Sequence, residues 1–226
     1  MTGLEPLDAR PDNLSEVTFE TIRNGIVSRQ LPPGSRVSEQ KIAAQLQVSK
    51  TPVREALLRL RHAGLVEPVG RGLCVVMPSD RAIRDAYEVR AGLEHTSARL
   101  AATRATPEQA ESLILIAAKS LAAARSGDGG EFRGSDRDFH LAVANAAGNS
   151  LLSVAIKESL ILTSVLRERD VPPAGDSVDC AEEHVKVAEA IRAGLVESAS
   201  ERMADHVRHV ATIVLTARAA SEPISS

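Results

Sequence analysis

Four side chains in the C-terminal part of the chain could bind a metal ion. Asp136 and His140 stand four residues apart in SDRDFHLAVANAAGN, so on a helix they share one face, with Cβ atoms roughly 5–6 Å apart. His184 and His206 each lie 11 residues from Leu195, beside a predicted turn, and would return to the same height in a helical hairpin. Three imidazoles and one carboxylate suit a divalent Zn, Ni or Mn ion, with positions left open for water or a ligand.

A site of this composition leaves several functions open. A metal-dependent hydrolase could use the bound ion to activate water, but this hypothesis lacks a clear general base. Glu183 adjoins His184, and neighbouring positions on a helix point about 100° apart. The metal could instead be purely structural, or the histidines could be ordinary core residues. His209 could replace His206 as a ligand, although the symmetry of the hairpin favours His206.

A second group of polar residues lies near the N-terminus, in the stretch 38–72. Its pattern is that of two short helices followed by a β-hairpin. Ser38 is a candidate N-cap of the first helix, and the second opens at Ser49 with Pro52 in its first turn, where the missing N–H costs nothing. The segments LVEP and LCVVM flank a glycine-rich turn over residues 69–72. This order predicts a winged helix-turn-helix.

Basic and hydrogen-bonding side chains concentrate at the start of the second helix and at the tip of the hairpin. In a helix-turn-helix, that end of the helix enters the DNA major groove. Residues 36–72 hold seven lysines and arginines against three acidic residues, a balance of +4, while the whole chain has a net charge of −3. Phosphate binding is thereby focused on one face. The expected DNA contacts are Arg36, Ser49, Lys50, Thr51, Arg54, Arg71 and Gly72.

The remainder of the chain has helical patterns only. Proline in the segment 77–80 ends the wing strand, and Ser79 or Asp80 can cap the next helix. No stretch shows sustained alternation of period two. Short connections between the helices predict an antiparallel bundle with a core large enough for a pocket. The six expected helices span 80–104, 107–126, 130–146, 150–169, 178–193 and 196–219.

Length and composition agree with a mainly α protein of two domains. The chain has 226 residues, of which 43% are hydrophobic, enough for helical cores. No apolar run approaches the roughly 18 residues of a membrane span, and the N-terminus has no signal-peptide pattern, which predicts a cytoplasmic protein without membrane contact. Cys74 and Cys180 match no metal or redox spacing. The expected parts are an N-terminal tail (1–15), the winged helix-turn-helix (16–78), the bundle (79–220) and a C-terminal tail (221–226).

Two segments resemble known bacterial families. SRVSEQKIAAQLQVSKTPVREALLRLRHAGLVEPVGRGLCV is similar to the DNA-binding domain of the GntR superfamily of transcription regulators, with the likeness covering roughly residues 16–78. Asp136-Arg-Asp-Phe-His140, then Ala-Gly-Asn at 147–149, Glu-His at 183–184 and finally His206 resemble the FCD ligand-binding domain of FadR-type regulators. This second likeness spans about residues 80–218, and six helices place it near the VanR-like branch. Gly134 departs from the pattern, because glycine loosens the helix that presents the chelating pair.

The resemblance implies a bacterial transcription regulator of the repressor kind, not an enzyme. It assigns the metal to Asp136, His140, His184 and His206, and it implies Arg90, in the first helix of the bundle, as an effector contact. A dication partly neutralised by one carboxylate, with an arginine nearby, leaves a positive pocket, which predicts a small organic acid as the effector. Because one recognition helix reads only a few base pairs, we expect a homodimer on an inverted-repeat operator in double-stranded DNA.

Overall fold

The computed structural model describes residues 13–70, 72–171 and 177–221 of the chain. The chain divides into two units, Met1–Met77 and Pro78–Ser226. The described residues of the first unit form α1 (Asn13–Val27), β1 (Arg36–Val37), α2 (Glu39–Leu46), α3 (Lys50–His62), β2 (Val66–Val69) and β3 (Gly72–Val75). Those of the second form α4 (Asp80–Arg104), α5 (Pro107–Ser126), α6 (Gly129–Ala146), α7 (Ser150–Asp170), α8 (Ser177–Arg192) and α9 (Val196–Ser221).

The first unit is the expected winged helix-turn-helix. The Ser38 side chain accepts a hydrogen bond from the backbone N–H of Lys41, at 3.4 Å, and so caps α2. Gly64 follows α3 with φ 74°, a left-handed conformation that glycine adopts without strain. The sequence placed no helix ahead of this motif, whereas α1 begins at Asn13, inside the expected tail. Apolar side chains of α1 and α3 form the core of the unit, namely Phe19, Ile22, Ile26, Val53, Leu57 and Leu60.

Three antiparallel strands form the wing, in the order β1-β3-β2. Val69 pairs with Gly72, which leaves a turn of two residues. The first of them, Gly70, has φ 61°. The second, Arg71, an expected DNA contact, lies outside the described residues. The strand β1 was absent from the prediction, because two residues are too short to show an alternating pattern.

The second unit contains the six expected helices, with bounds within two residues of the prediction. Ser79 caps α4 by accepting from the N–H of Ala82 at 3.2 Å. Thr106 and Gln109 form a reciprocal capping box at the start of α5, where Pro107 occupies the first turn. The mainly α fold class is therefore confirmed, because these local signals fix where helices start and stop.

Helix packing in the second unit forms more than one apolar cluster. The helix α4 packs on α9 and α7, α5 packs on α6 and α8, and α8 packs on α9. One apolar cluster includes Phe132 in the first turn of α6, and another includes Phe139 in the middle of the same helix. No helix in the part of the chain that the structure describes is long and apolar enough to cross a membrane.

Candidate functional site

The packing of α6, α8 and α9 brings the four expected metal ligands together. One ligand atom from each of Asp136, His140, His184 and His206 lies within 4.8 Å of all the others. The Nε2 atom of His184 is 3.1 Å from Nε2 of His206 and 3.7 Å from Oδ1 of Asp136. All three histidines are at least 99% buried. Four donors from three helices thus surround one point inside the bundle.

Two carboxylates accept hydrogen bonds from the Nδ1 atoms of two of these imidazoles. Nδ1 of His140 donates a hydrogen bond to Glu94 of α4. Nδ1 of His206 donates to Oε2 of Glu183, at 2.8 Å. A carboxylate that accepts from Nδ1 places the proton on that nitrogen and leaves the Nε2 lone pair free. Both histidines therefore present a lone pair to the centre of the cluster.

The third imidazole has a weaker partner, and one ligand atom has none. Nδ1 of His184 lies 3.5 Å from Oγ of Ser120, and the ring of His184 stacks on Phe139 with centroids 4.4 Å apart. Nε2 of His140 is buried without any hydrogen-bond partner. An unpaired buried acceptor costs free energy, and a cation at the centre would supply its partner.

Electrostatics keep these groups in the forms that bind metals. Burial lowers the pKa of His184 well below its ordinary value, and the neighbouring His206 lowers it further. Burial also lowers the pKa of His206. For Asp136, burial alone would raise the pKa, but the Arg167 guanidinium, at 2.7 Å, holds it far below its usual range. Neutral imidazoles and an ionised carboxylate are the ligand states a divalent ion requires.

Arg90, the expected effector contact, is 3% exposed inside the bundle. Its Nε donates to Glu94 at 2.5 Å and its NH1 to Oγ1 of Thr163 at 3.2 Å. Burial would raise the pKa of Glu94, but His140 and Arg90 lower it to about 2. Arg90 is thereby linked to the cluster through Glu94 and His140.

The structure separates the two histidines of α9 that the sequence left as alternatives. His206 is in the cluster, whereas Nδ1 of His209 donates to Oε1 of Glu183 at 2.9 Å and its side chain is 35% exposed. Glu183 therefore accepts from both histidines. Sequence reasoning considered Glu183 only as a general base and missed Glu94, Ser120 and Arg167 altogether. The four-residue spacing of Arg90 and Glu94 was the one available signal, since it allows an ion pair on a helix.

The second candidate surface lies on the winged unit. Arg36 stands on β1, Ser49 precedes α3, Lys50 and Thr51 open that helix, and Gly72 begins β3. All are exposed, as is Arg54 in the second turn of α3. Several of them line a concave surface of about 860 Å³ between α2, α3 and the wing. Lys41 and Arg61, which sequence reasoning did not select, line the same surface.

A carboxylate already orients Arg54 on this surface. Nε and NH2 of Arg54 donate to Glu39 at 3.3 and 3.0 Å. Glu39 stands in the first turn of α2 and raises the pKa of Arg54. The planar guanidinium is held by one edge while the side chain stays 63% exposed, so its remaining donor edge is available to a base or phosphate.

A winged helix-turn-helix followed by an all-α unit is the architecture of a DNA-binding transcription regulator. Residues 14–76 match the bacterial regulatory proteins of the gntR family, and residues 85–209 match the FCD domain. The chain belongs to the GntR family of regulators that carry an FCD domain, as the resemblance of its sequence implied.

Individual relatives support this assignment along most of the chain. The "Probable D-xylose utilization operon transcriptional repressor" of Paenarthrobacter nicotinovorans is 32% identical over 89% of this chain and 91% of its own length. The HTH-type transcriptional regulator LutR of Bacillus subtilis is 30% identical over 85% of this chain and 95% of its own. The solved structure of McbR/YncC from E. coli shares the fold, with a TM-score of 0.76, 23% identity, and coverage of 90% of this chain and 97% of that one.

Proposed function

We propose that this protein is a homodimeric transcriptional repressor whose FCD domain binds a divalent metal ion and a small organic acid, and that the acid modulates operator binding. The observation that carries the proposal is that one ligand atom from each of three buried histidines and from one carboxylate lies within 4.8 Å of all the others. The repressor role follows from the xylose-operon relative, which is named a probable transcriptional repressor.

The donor set fits a borderline metal. Nitrogen donors with one oxygen suit Zn, Ni or Mn ions. Nε2 of His184 lies 3.1 Å from Nε2 of His206, close enough for one ion to bind both nitrogens. Burial disfavours protonated imidazole here, so both rings are kept in the neutral form that binds a metal ion. We propose Asp136, His140, His184 and His206 as its ligands.

The positive charge of the proposed metal site is the reason for proposing an organic acid as its ligand. A dication with one anionic protein ligand keeps a net positive charge. The buried Arg167 bonds to that ligand, Asp136, and the buried Arg90 is linked to the cluster through Glu94 and His140. A small carboxylate is the kind of ligand that such a positively charged site binds. Regulation then requires that the acid bind the DNA-competent and incompetent states with different affinity, typically by about 1–3 kcal/mol.

We propose binding, rather than catalysis, as the use of this metal. Glu183, considered as a general base from the sequence, accepts hydrogen bonds from two histidines and is committed to holding them. The matched families and relatives are transcription regulators.

Elemental analysis of the full chain, purified without a polyhistidine tag, tests the metal. We expect close to one equivalent of a divalent ion, lost in His206→Ala and kept in His209→Ala, which removes an imidazole one turn further along the same helix. Less than about 0.2 equivalents in the wild type after reconstitution would contradict the metal proposal.

Selection of duplexes from a random pool tests DNA binding and symmetry. We expect an inverted repeat, bound by two copies of the chain. Arg54→Ala should abolish binding of the selected duplex across several salt concentrations while circular dichroism stays unchanged. Arg99→Ala removes an exposed arginine of α4 and serves as the control. Equal affinity of the Arg54→Ala variant and the wild type would refute the assignment of Arg54.

A further inference from the structure

Arg133 in α6 has a buried guanidinium nitrogen that the proposed metal centre does not use. Its NH2 donates to the backbone carbonyl of Val171, at 3.2 Å, where α7 ends. Its NH1 is buried and has no hydrogen-bond partner. A buried N–H of a charged group without an acceptor is costly, so this nitrogen is a candidate for binding something from outside the chain.

The position of Arg133 connects it to the metal centre. Arg133, Asp136 and His140 follow one another at three and four residues, so they share one face of α6. Nε2 of His140 is likewise buried without a partner. Two unsatisfied polar atoms, one a donor and one an acceptor, thus belong to the same face of a single helix.

The two other buried arginines nearby are already paired with carboxylates. Arg90 bonds to Glu94 at 2.5 Å, and Arg167 bonds to Asp136 at 2.7 Å. Burial and the like charge of Arg167 lower the pKa of Arg133, although Asp136 and Glu168 act in the opposite direction. An anion at Arg133 would therefore relieve both the missing acceptor and the repulsion between guanidinium groups.

The contacts of α6 with the end of α7 give the order of these groups along the two helices. Asp136 meets Arg167, whereas Arg133 meets Val171, four residues further along the chain and just past the end of α7. Four residues of helix correspond to about 6 Å. One carboxylate group is too small to reach both positions, but two acidic groups joined by a short carbon chain can.

We propose that Arg133 binds the second acidic group of a small dicarboxylate whose first acidic group faces the centre formed by Asp136, His140, His184 and His206. This inference rests on the proposed function and specifies the class of its effector. In this proposal Arg90 orients Glu94 and does not contact the acid, because its Nε and NH1 already donate to Glu94 and Thr163.

Calorimetric titration of the full chain loaded with Zn²⁺ tests the inference, with acetate, malonate and succinate as probes. For the wild type, we expect malonate or succinate to bind at least about tenfold more tightly than acetate, because only a diacid gains the charge-assisted contact. In Arg133→Met, which keeps the length of the side chain without its charge, the diacid should bind no more tightly than acetate. Arg137→Met removes an exposed arginine of the same helix and should keep the wild-type preference.

The outcomes separate this inference from the function on which it rests. Failure of the chain to retain Zn²⁺ would overturn the metal proposal and this inference with it. Retention of Zn²⁺ without a diacid preference in the wild type would overturn the inference alone. The same holds if Arg133→Met keeps the full preference while circular dichroism shows a native fold.

Discussion

Glu94 accepts a hydrogen bond from Nδ1 of His140, a residue 46 positions later in the chain. The other oxygen of the same carboxylate bonds to Nε of Arg90. An arginine, a carboxylate and an imidazole thus form a buried chain from α4 to α6. Its last atom, Nε2 of His140, faces the proposed metal.

Breaking the Arg90–Glu94 pair should destabilise the metal-free protein strongly. Glu94→Leu leaves a buried guanidinium without its carboxylate, which we expect to cost about 3–5 kcal/mol in urea unfolding. The double variant Arg90→Met with Glu94→Leu removes both charges and should be less destabilised than the sum of the single variants. Strict additivity would show that the two side chains do not depend on each other.

Removing the acceptor behind His206 should weaken metal binding. Glu183→Ala deprives Nδ1 of His206 of the group that orients the ring, and we expect an affinity loss of about 10–100-fold. Competition with a chelator of known affinity measures the loss. Glu182→Ala is the matched control, since Glu182 pairs with Arg125 on the surface. Equal losses in both variants would mean that Glu183 has no special part in holding the ligand.

Glu39 should contribute specificity rather than affinity to the DNA surface. Glu39→Gln removes a negative charge from the expected DNA surface and frees Arg54 from its ion pair. We expect tighter binding of random duplex DNA and a smaller ratio between the selected duplex and random DNA. Fluorescence anisotropy at two salt concentrations measures both affinities. An unchanged ratio would argue against the orienting role.

Gly134→Ala should stabilise the protein. Gly134 lies within α6, and an added Cβ would meet no atom within 4 Å. Alanine in place of glycine inside a helix favours folding by about 0.5–1 kcal/mol. Gly127→Ala is the opposite control, because Gly127 has φ +77° and alanine would be strained there. Thermal unfolding of both variants should show shifts of opposite sign.

The two cysteines should differ in reactivity. Burial raises the pKa of the Cys180 thiol to about 12, so at pH 8 only about 1 in 10⁴ of these thiols is the nucleophilic thiolate. Cys74 is partly exposed. An alkylating reagent should therefore modify one thiol in the native protein and both after unfolding. In Cys74→Ser the native protein should not react, and rapid modification there would show that Cys180 is accessible.

The sequence by itself predicted the helix-turn-helix, the six helices of the bundle and the identity of the four converging side chains. These features depend on local signals, such as apolar periodicity, capping residues like Ser38 and Ser79, and the four-residue spacing of Asp136 and His140. Local signals also explain the omissions. The strand β1 is too short for a pattern, and α1 precedes the motif from which the prediction started.

Only the tertiary structure decided how those side chains are used. Glu94 meets His140 across 46 residues and Glu183 meets His206 across 23, and no spacing in the sequence reports a contact between helices. The packing of α8 on α9 also places His206, and not His209, in the cluster. It determined as well which arginines are paired and which nitrogen of Arg133 remains unsatisfied. Burial and partnership are properties of packed helices, and they set the tautomers and the charges on which binding depends.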